Sequence, residues 1–245
     1  VGGAAAGHGH GHGERRKGLL RGIGEKLGIQ KPKQARTKED YEFDWQAKQW
    51  AGVFSKPEIQ AKCREYWMEH RHLEEILALA PIGKDAKVLD VGCGISTVLH
   101  WVEGKRHGID PLGERYKEVY RYPAGMEIRG GYAEKLPYAD REFDFVFCSN
   151  CIDHTTSPPD VVAEVLRVLR PGGHFVLTCE TFRSDLGKRD AGHPHSMTTK
   201  KLLDLVAAFE LRQKWQSTWW GLRNYALGDP PTEEVENIFL LRKPA

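Results

Sequence analysis

Between residues 87 and 179 the chain repeats one unit: a short apolar run, a glycine-bearing turn, then an amphipathic stretch. This rhythm constrains the fold more than any other feature. Apolar runs cover residues 87–91, 106–109, 126–129, 143–148 and 174–179, and helices are expected over 97–103, 115–120, 160–169 and 199–208. Strands separated by helices return in parallel, and a parallel sheet needs helices on both faces. The expected class is therefore α/β, a doubly wound, mostly parallel sheet. The end of the chain departs from the rhythm. Residues 211–216 and 236–242 are strand candidates joined by the turn-rich stretch 221–232, which predicts an antiparallel hairpin closing the sheet.

Upstream, Trp45, Trp50, Phe54, Tyr66, Leu73, Ile76, Leu77 and Leu79 precede a break at Pro81, and their spacing predicts two helices. Residues 1–13 hold little but glycine, alanine and the alternating His8, His10 and His12, the composition of a tag or a low-complexity lead, and are set outside the fold. Residues 14–38 carry nine basic side chains against Glu14 and Glu25, a net charge of +7. The whole chain is at +2, so the remainder is at −5. Leu20, Ile23 and Leu27 could line an amphipathic helix facing an anionic surface, membrane or RNA, whereas four glycines favour a solvated tail. The expected division is a low-complexity and basic tail over 1–38, a helical lid with N-terminal helices over 39–84, and the main α/β domain over 85–245.

Composition excludes other classes. A hydrophobic fraction of 40% with 26 glycines and 13 prolines in 245 residues fits neither a disordered nor a collagen-like chain. No apolar run approaches the roughly 18 residues of a membrane span. Five scattered cysteines, an odd number in a chain without a recognisable secretory signal, are read as reduced thiols, which places the expected location in the cytoplasm. Contact of the basic segment with lipid would extend that to the membrane periphery.

The segment KVLDVGCGIS, Lys87 to Ser96, carries the chemistry. A buried strand runs into Gly92-Cys93-Gly94 and then toward a helix capped by Ser96 or Thr97. Glycines let the backbone turn sharply and approach a ligand, and a helix N-terminus offers unpaired N–H groups to something nucleotide-like. Asp110 ends the next strand, where it could accept hydrogen bonds from two ribose hydroxyls. The dinucleotide pattern G-x-G-x-x-G would need Gly or Ala where this chain has Thr97, which weakens a nicotinamide reading.

With these residues in view, VLDVGCG, GID, YAEKLPYADREFDFVFCSNCIDH and EVLRVLRPGGHFVL stand in the order and spacing of a known family. The chain resembles the class I S-adenosylmethionine-dependent methyltransferases, particularly the UbiE/type-11-like group. The resemblance implies a seven-stranded Rossmann-like sheet of order 3-2-1-4-5-7-6 with the seventh strand antiparallel, and S-adenosyl-L-methionine as cofactor. It implies that Asp90, Gly92, Cys93 and Gly94 lie beside the methionine moiety and that Asp110 binds ribose. It puts Ala133 and Glu134 near the adenine, and Asn150 and Cys151 between the methionine and the acceptor. Two departures stand out. Tyr132 replaces the acid that often precedes the Ala-Glu pair, so adenine is met by backbone or by stacking, and Ser96 replaces the third glycine of the first motif.

On the acceptor side, His154 follows the fourth strand at the carboxyl end of the sheet and is the candidate catalytic base, with a capping or packing role as its alternative. Asp153 could orient its imidazole. His193 and His195 follow the fifth strand; Pro194 between them and the lack of a neighbouring third ligand favour packing over a metal pair, and His195 is taken as substrate-side. Cys148 and Cys151 form a lone C-x-x-C without a second pair, so no metal is expected. The aromatic candidates for the acceptor pocket are Tyr41, Trp45 and Trp50 in the N-terminal helices and Trp215, Trp219, Trp220 and Tyr225 around the final hairpin, with ordinary packing as their alternative. The expected function is methyl transfer to a small-molecule, lipid-linked or sugar acceptor, with oxygen favoured. The alternatives are an RNA methyltransferase and a catalytically silent binding or assembly protein.

Overall fold

The computed structural model describes residues 37–182, 193–217 and 234–245, and Lys38 to Ala245 form one compact unit. Seven strands make a single sheet: β1 (Lys87–Val91), β2 (Lys105–Asp110), β3 (Met126–Gly130), β4 (Phe143–Ser149), β5 (Leu169–Phe182), β6 (Glu210–Ser217) and β7 (Glu234–Arg242). Their order is β3-β2-β1-β4-β5-β7-β6. β1 to β5 run parallel, whereas β7 lies antiparallel between β5 and β6. Sheet, order and closing antiparallel pair match the expectation; residues 221–232 of the connecting turn lie outside the described residues.

The central strands are apolar on both faces because both are covered. Leu89, Val91, Val146, Phe175 and Leu177 pack into one core cluster with the helix over Pro158–Val168, and Val88, Phe145, Phe147, Val176 and Leu240 into the other with the N-terminal helices. That helix begins on two prolines, which fit its first turn, and turns Val161, Val162, Val165 and Val168 inward. Where it ends, Pro171, Gly172 and Gly173 shift the register between β4 and β5, so that Phe143 faces Leu169 and Phe145 faces His174. Arg167 fastens this corner, donating to Glu164, Asp140 and the Leu136 and Tyr138 carbonyls.

Two expectations need correction. Among the described residues the N-terminal helices number three: α1 (Lys38–Gln46), α2 (Pro57–Glu65) and α3 (Leu73–Leu79). Wider helical turns extend α1 over Ala47–Ala51 and α2 over Tyr66–His70. Gly52 and Pro57 divide the first two, and His72, at φ +54°, divides the last two. The apolar spacing continues across His72, which is why sequence alone joined α2 to α3. The helix expected over 97–103 is only a 3₁₀ turn over Val98–His100. Thr97 caps it, accepting from the Leu99 N–H at 3.1 Å, but one turn has little dipole to offer a ligand. In chain order α4 spans Gly113–Val119, α5 is the helix over Pro158–Val168, and α6 spans Thr199–Leu205.

Arg71 locks the N-terminal helices to the sheet. It is buried between the Tyr66 and Trp67 rings, donates to the Tyr66 hydroxyl at 2.6 Å and to Thr178 on β5, and pairs with buried Glu236 on β7 at 2.6 Å. The pair is close but off the line of an ideal hydrogen bond, so its strength is mainly coulombic. Removing one charge leaves the other buried without compensation. Glu236→Gln should therefore cost about 3–5 kcal/mol in urea unfolding, and Arg71→Leu with Glu236→Leu clearly less. A Glu236→Gln cost below about 1 kcal/mol would show the pair to be dispensable.

Candidate functional site

β1 delivers Asp90 and Val91 to the carboxyl end of the sheet, where the chain turns at Gly92 with φ +72°. The turn has a second requirement. A Cβ on Gly92 would lie 2.3 Å from Cys151 Sγ, so only glycine lets the loop after β1 touch the loop after β4. The N–H groups of this loop are paired within the chain. Gly92 and Cys93 donate to the Ile109 carbonyl at 2.8 and 3.3 Å, Gly94 to Asp110 Oδ2 at 3.2 Å, and Ile95 to Gln46 Oε1 at 3.4 Å. The expected row of unpaired donors is thus replaced by a loop shaped and held from behind.

Two carboxylates give the loop its electrostatics. Asp90 is buried, its Oδ2 accepts from the Thr97 hydroxyl at 2.6 Å, and its Oδ1 has no partner. Burial pushes its carboxyl up to about 7, against the opposing pull of the Thr97 hydrogen bond. Asp110 accepts from the Leu112 N–H at 2.9 Å and from Gly94, and burial pushes its carboxyl up to about 6. Each of its oxygens keeps a lone-pair direction for a ribose hydroxyl.

The other sequence candidates fall around this loop in different ways. The Cys93 side chain turns away from the cleft, packing against Gly108 and into the core with Ile128, so its share in a cofactor site is backbone only. Ala133 is buried in the opposite cluster. Glu134 Oε1 accepts from the Thr156 and Ser157 N–H groups at 2.7 and 3.3 Å, which makes its carboxylate a tie for the loop before α5. Tyr132, beside them, is 61% exposed, open to stack on a ligand. Asn150 sits at φ +50° directly after β4, a left-handed conformation that sets the course of the loop carrying Cys151 to His154.

Apart from Trp50, the contacts that α1 and its extension make with the loop were missed by sequence reasoning. The Gln46 amide lies over Gly94 and Ile95, Phe43 stacks on Tyr116 at 6.0 Å, and Trp50 joins the cluster of Ile95, Leu112 and Tyr116. The Glu42 carboxylate acts on Asp110 and on His154, raising both. Tyr41 and Trp45 are 61% and 43% exposed, so the aromatics of this element that pack onto the cofactor loop are Phe43 and Trp50. Trp219, Trp220 and Tyr225 lie outside the described residues. No periodicity marks Gln46 or Glu42, because their partners are distant in sequence.

His154 closes a short 3₁₀ turn, Ile152–His154, and Lys38 donates to its carbonyl at 2.8 Å. Burial lowers its imidazole pKa, Asp153 pulls the other way, and His193 adds to the lowering. Asp153 Oδ1 stands 4.0 Å from His154 Nε2, and the His154 and His193 rings are 4.3 Å apart. His195 is in hydrogen-bond contact with the Thr155 carbonyl at 2.9 Å, so of the two loop histidines it is His193 that faces His154.

Residues 89–177 match the model of the methyltransferase domain family. These residues form a class I S-adenosylmethionine-dependent methyltransferase domain. Malonyl-[acyl-carrier protein] O-methyltransferase of Marinomonas sp. (strain MWYL1) is 28% identical over 159 residues, 57% of this chain and 57% of that protein. Phthiotriol/phenolphthiotriol dimycocerosates methyltransferase of Mycobacterium leprae (strain TN) is 34% identical over 99 residues, 36% of each. The chain thus spans about half or less of the length of these curated relatives. A chain from the complex of the Haloferax volcanii Trm112 methyltransferase activator with a methyltransferase superposes with a TM-score of 0.60 at 15% identity, covering 86% of this chain and all of that one, and shows the shared fold.

The residues of this methyltransferase domain fit S-adenosylmethionine. Asp90 Oδ1 is a buried acceptor without a donor, and the ammonium group of the methionine moiety brings both a donor and a positive charge. With the cofactor bound, Asp110 would accept from the ribose hydroxyls, and the exposed Tyr132 ring would be available to the adenine. Loss of two charge-assisted hydrogen bonds, each worth about 1.5–3 kcal/mol, should weaken S-adenosylhomocysteine binding by well over tenfold in Asp110→Ala, read by calorimetry. Both carboxyls are raised, so the charged forms that bind are present at high pH and are lost as pH falls through about 7 for Asp90 and about 6 for Asp110. Wild-type affinity should fall between about pH 8 and about pH 5, and Asp110→Asn should lose the part of that fall centred near 6. A flat profile in a folded wild-type protein would remove the assignment.

Proposed function

We propose that this chain transfers a methyl group from S-adenosylmethionine to a small-molecule, lipid-linked or sugar acceptor, with oxygen as the accepting atom. His154 carries the oxygen assignment: a partly buried imidazole whose pKa is lowered by desolvation, which favours its neutral form, at the carboxyl end of β4 one short turn from Cys151. A hydroxyl must lose a proton as it is methylated, and a neutral imidazole can take it. A thiolate or a neutral amine, already nucleophilic near neutral pH, makes less demand of this kind.

When bound, the cofactor supplies a methyl group on a sulfonium, and the main demand on the protein is an acceptor held in line with the breaking bond. Gly92 and Gly94 let the chain approach the cofactor, Asp90 and Asp110 hold its two ends, and Gln46 covers the loop from α1. His154 holds the proton leaving the acceptor, and Asp153 and Glu42 favour its charged form. The names of two relatives, an O-methyltransferase and a dimycocerosates methyltransferase, support an oxygen acceptor and a lipid-like one. The +7 charge over residues 14–38 supports an acceptor presented at an anionic surface. A cytoplasmic location belongs to the same proposal, supported by five cysteines that are all free thiols.

The test is transfer of a labelled methyl group from S-adenosylmethionine to lipid, polar and RNA fractions of a cell extract, with identification of the product. The expected product is a methyl ether or ester in the lipid or polar fraction; label in RNA would overturn the acceptor class. His154→Gln should lower the rate by about 10²- to 10⁴-fold while leaving S-adenosylhomocysteine affinity and the unfolding midpoint nearly unchanged. Full activity in the folded variant would move the accepting atom to nitrogen, sulfur or carbon.

A further inference from the structure

Asp153, His154 and His193 bring one carboxylate and two imidazoles together from separate loops, with one ligand atom from each lying within 4.8 Å of the others. Asp153 is almost wholly buried, yet its Oδ1 is an acceptor without a donor, facing His154 Nε2 at 4.0 Å. A buried carboxylate oxygen left in this state is costly, and two imidazoles and an acid converging on one point are the donor set of a divalent metal. The loops are also tied to each other: His195 meets the Thr155 carbonyl, which sets His193 against the turn bearing His154.

We propose that Asp153, His154 and His193 form a mononuclear site for a divalent first-row transition cation at the acceptor side of the cofactor cleft. Two nitrogen donors select zinc, cobalt, iron(II) or manganese over magnesium and calcium, which prefer all-oxygen shells. Three protein ligands leave positions open, the arrangement that lets a bound cation lower the pKa of a water or hydroxyl beside it. His195 is turned to the Thr155 carbonyl, and the two ligands that His193 lacks along its own loop, Asp153 and His154, come from the loop after β4. With a cation present His154 serves as a ligand, and the acceptor hydroxyl would be activated by the metal. The proposal concerns binding and is read without turnover, so its failure leaves the methyl-transfer reading standing, and the reverse.

The experiment uses the full chain carrying His8→Ala, His10→Ala and His12→Ala, because the alternating histidines near the N-terminus could chelate a metal themselves. Cobalt(II) is titrated and followed by its visible d–d absorption. One equivalent should bind per chain, displaced by zinc and not by magnesium. Asp153→Asn and His193→Ala should each weaken binding by more than the roughly 10- to 100-fold that loss of a supporting residue costs. If Asp153→Asn fails to fold by circular dichroism, His193→Ala, on a partly exposed loop, decides. His70→Ala should leave the band unchanged, since Glu65, Glu69 and His70 form a second, more exposed group of ligand-type side chains. Absence of cobalt binding, binding insensitive to His193→Ala, loss in His70→Ala, or a sulfur-to-cobalt charge-transfer band from the Cys148 and Cys151 thiols would each overturn the proposal.

Discussion

The close approach of Gly92 to Cys151 is the contact on which the rest of the site depends. β1 and β4 are parallel neighbours, with Val91 opposite Cys148, so their following loops leave the same end of the sheet side by side. Any side chain at Gly92 would strike the Cys151 thiol and force the two loops apart. Because it has none, the cofactor loop and the turn carrying Asp153 and His154 form one continuous surface. Transfer of a group between two bound molecules requires that adjacency, since the reacting atoms must meet at near contact distance.

The price of the adjacency is electrostatic. Asp90, Asp110 and Asp153 are gathered at one end of the sheet with little solvent to stabilise their charge, and two of them have carboxyls raised toward neutrality. Asp90 and Asp153 each keep one buried oxygen without a donor. A core that tolerates such groups is built to receive positive charge: an ammonium and a sulfonium on the cofactor side, an imidazolium or a cation on the acceptor side. Arg71, paired with Glu236, donates to the Thr178 hydroxyl, which in turn donates to Ser149 on β4, so the pair ties the N-terminal helices to the sheet.

α1 makes that reach with side chains that look unremarkable in the sequence. Its apolar residues do not segregate to one face and none of its side chains is fully buried, yet Gln46, Phe43 and Lys38 touch the Gly94 loop, Tyr116 and the His154 turn. An element held by a few polar contacts and one aromatic stack can open more easily than the sheet beneath it.

The sequence by itself determined the sheet, its mostly parallel sense, its antiparallel closure and the glycine turn after β1, because these follow from local pattern: apolar runs of strand length, glycines where the backbone must turn, and an acid at the end of the second strand. It placed Asp90, Gly92, Gly94 and Asp110 in one loop system since each is fixed by its own strand end. Tertiary structure alone decided which side chains face the cleft. Cys93 turns into the core against Gly108 and Glu134 ties a loop, because those partners stand outside the local pattern, and the stretch after Thr97 yields a single 3₁₀ turn where a helix over 97–103 was expected. The meeting of Asp153 and His154 with His193, some forty residues on, was illegible for the same reason. Two loops that follow adjacent parallel strands become neighbours only once the sheet has formed.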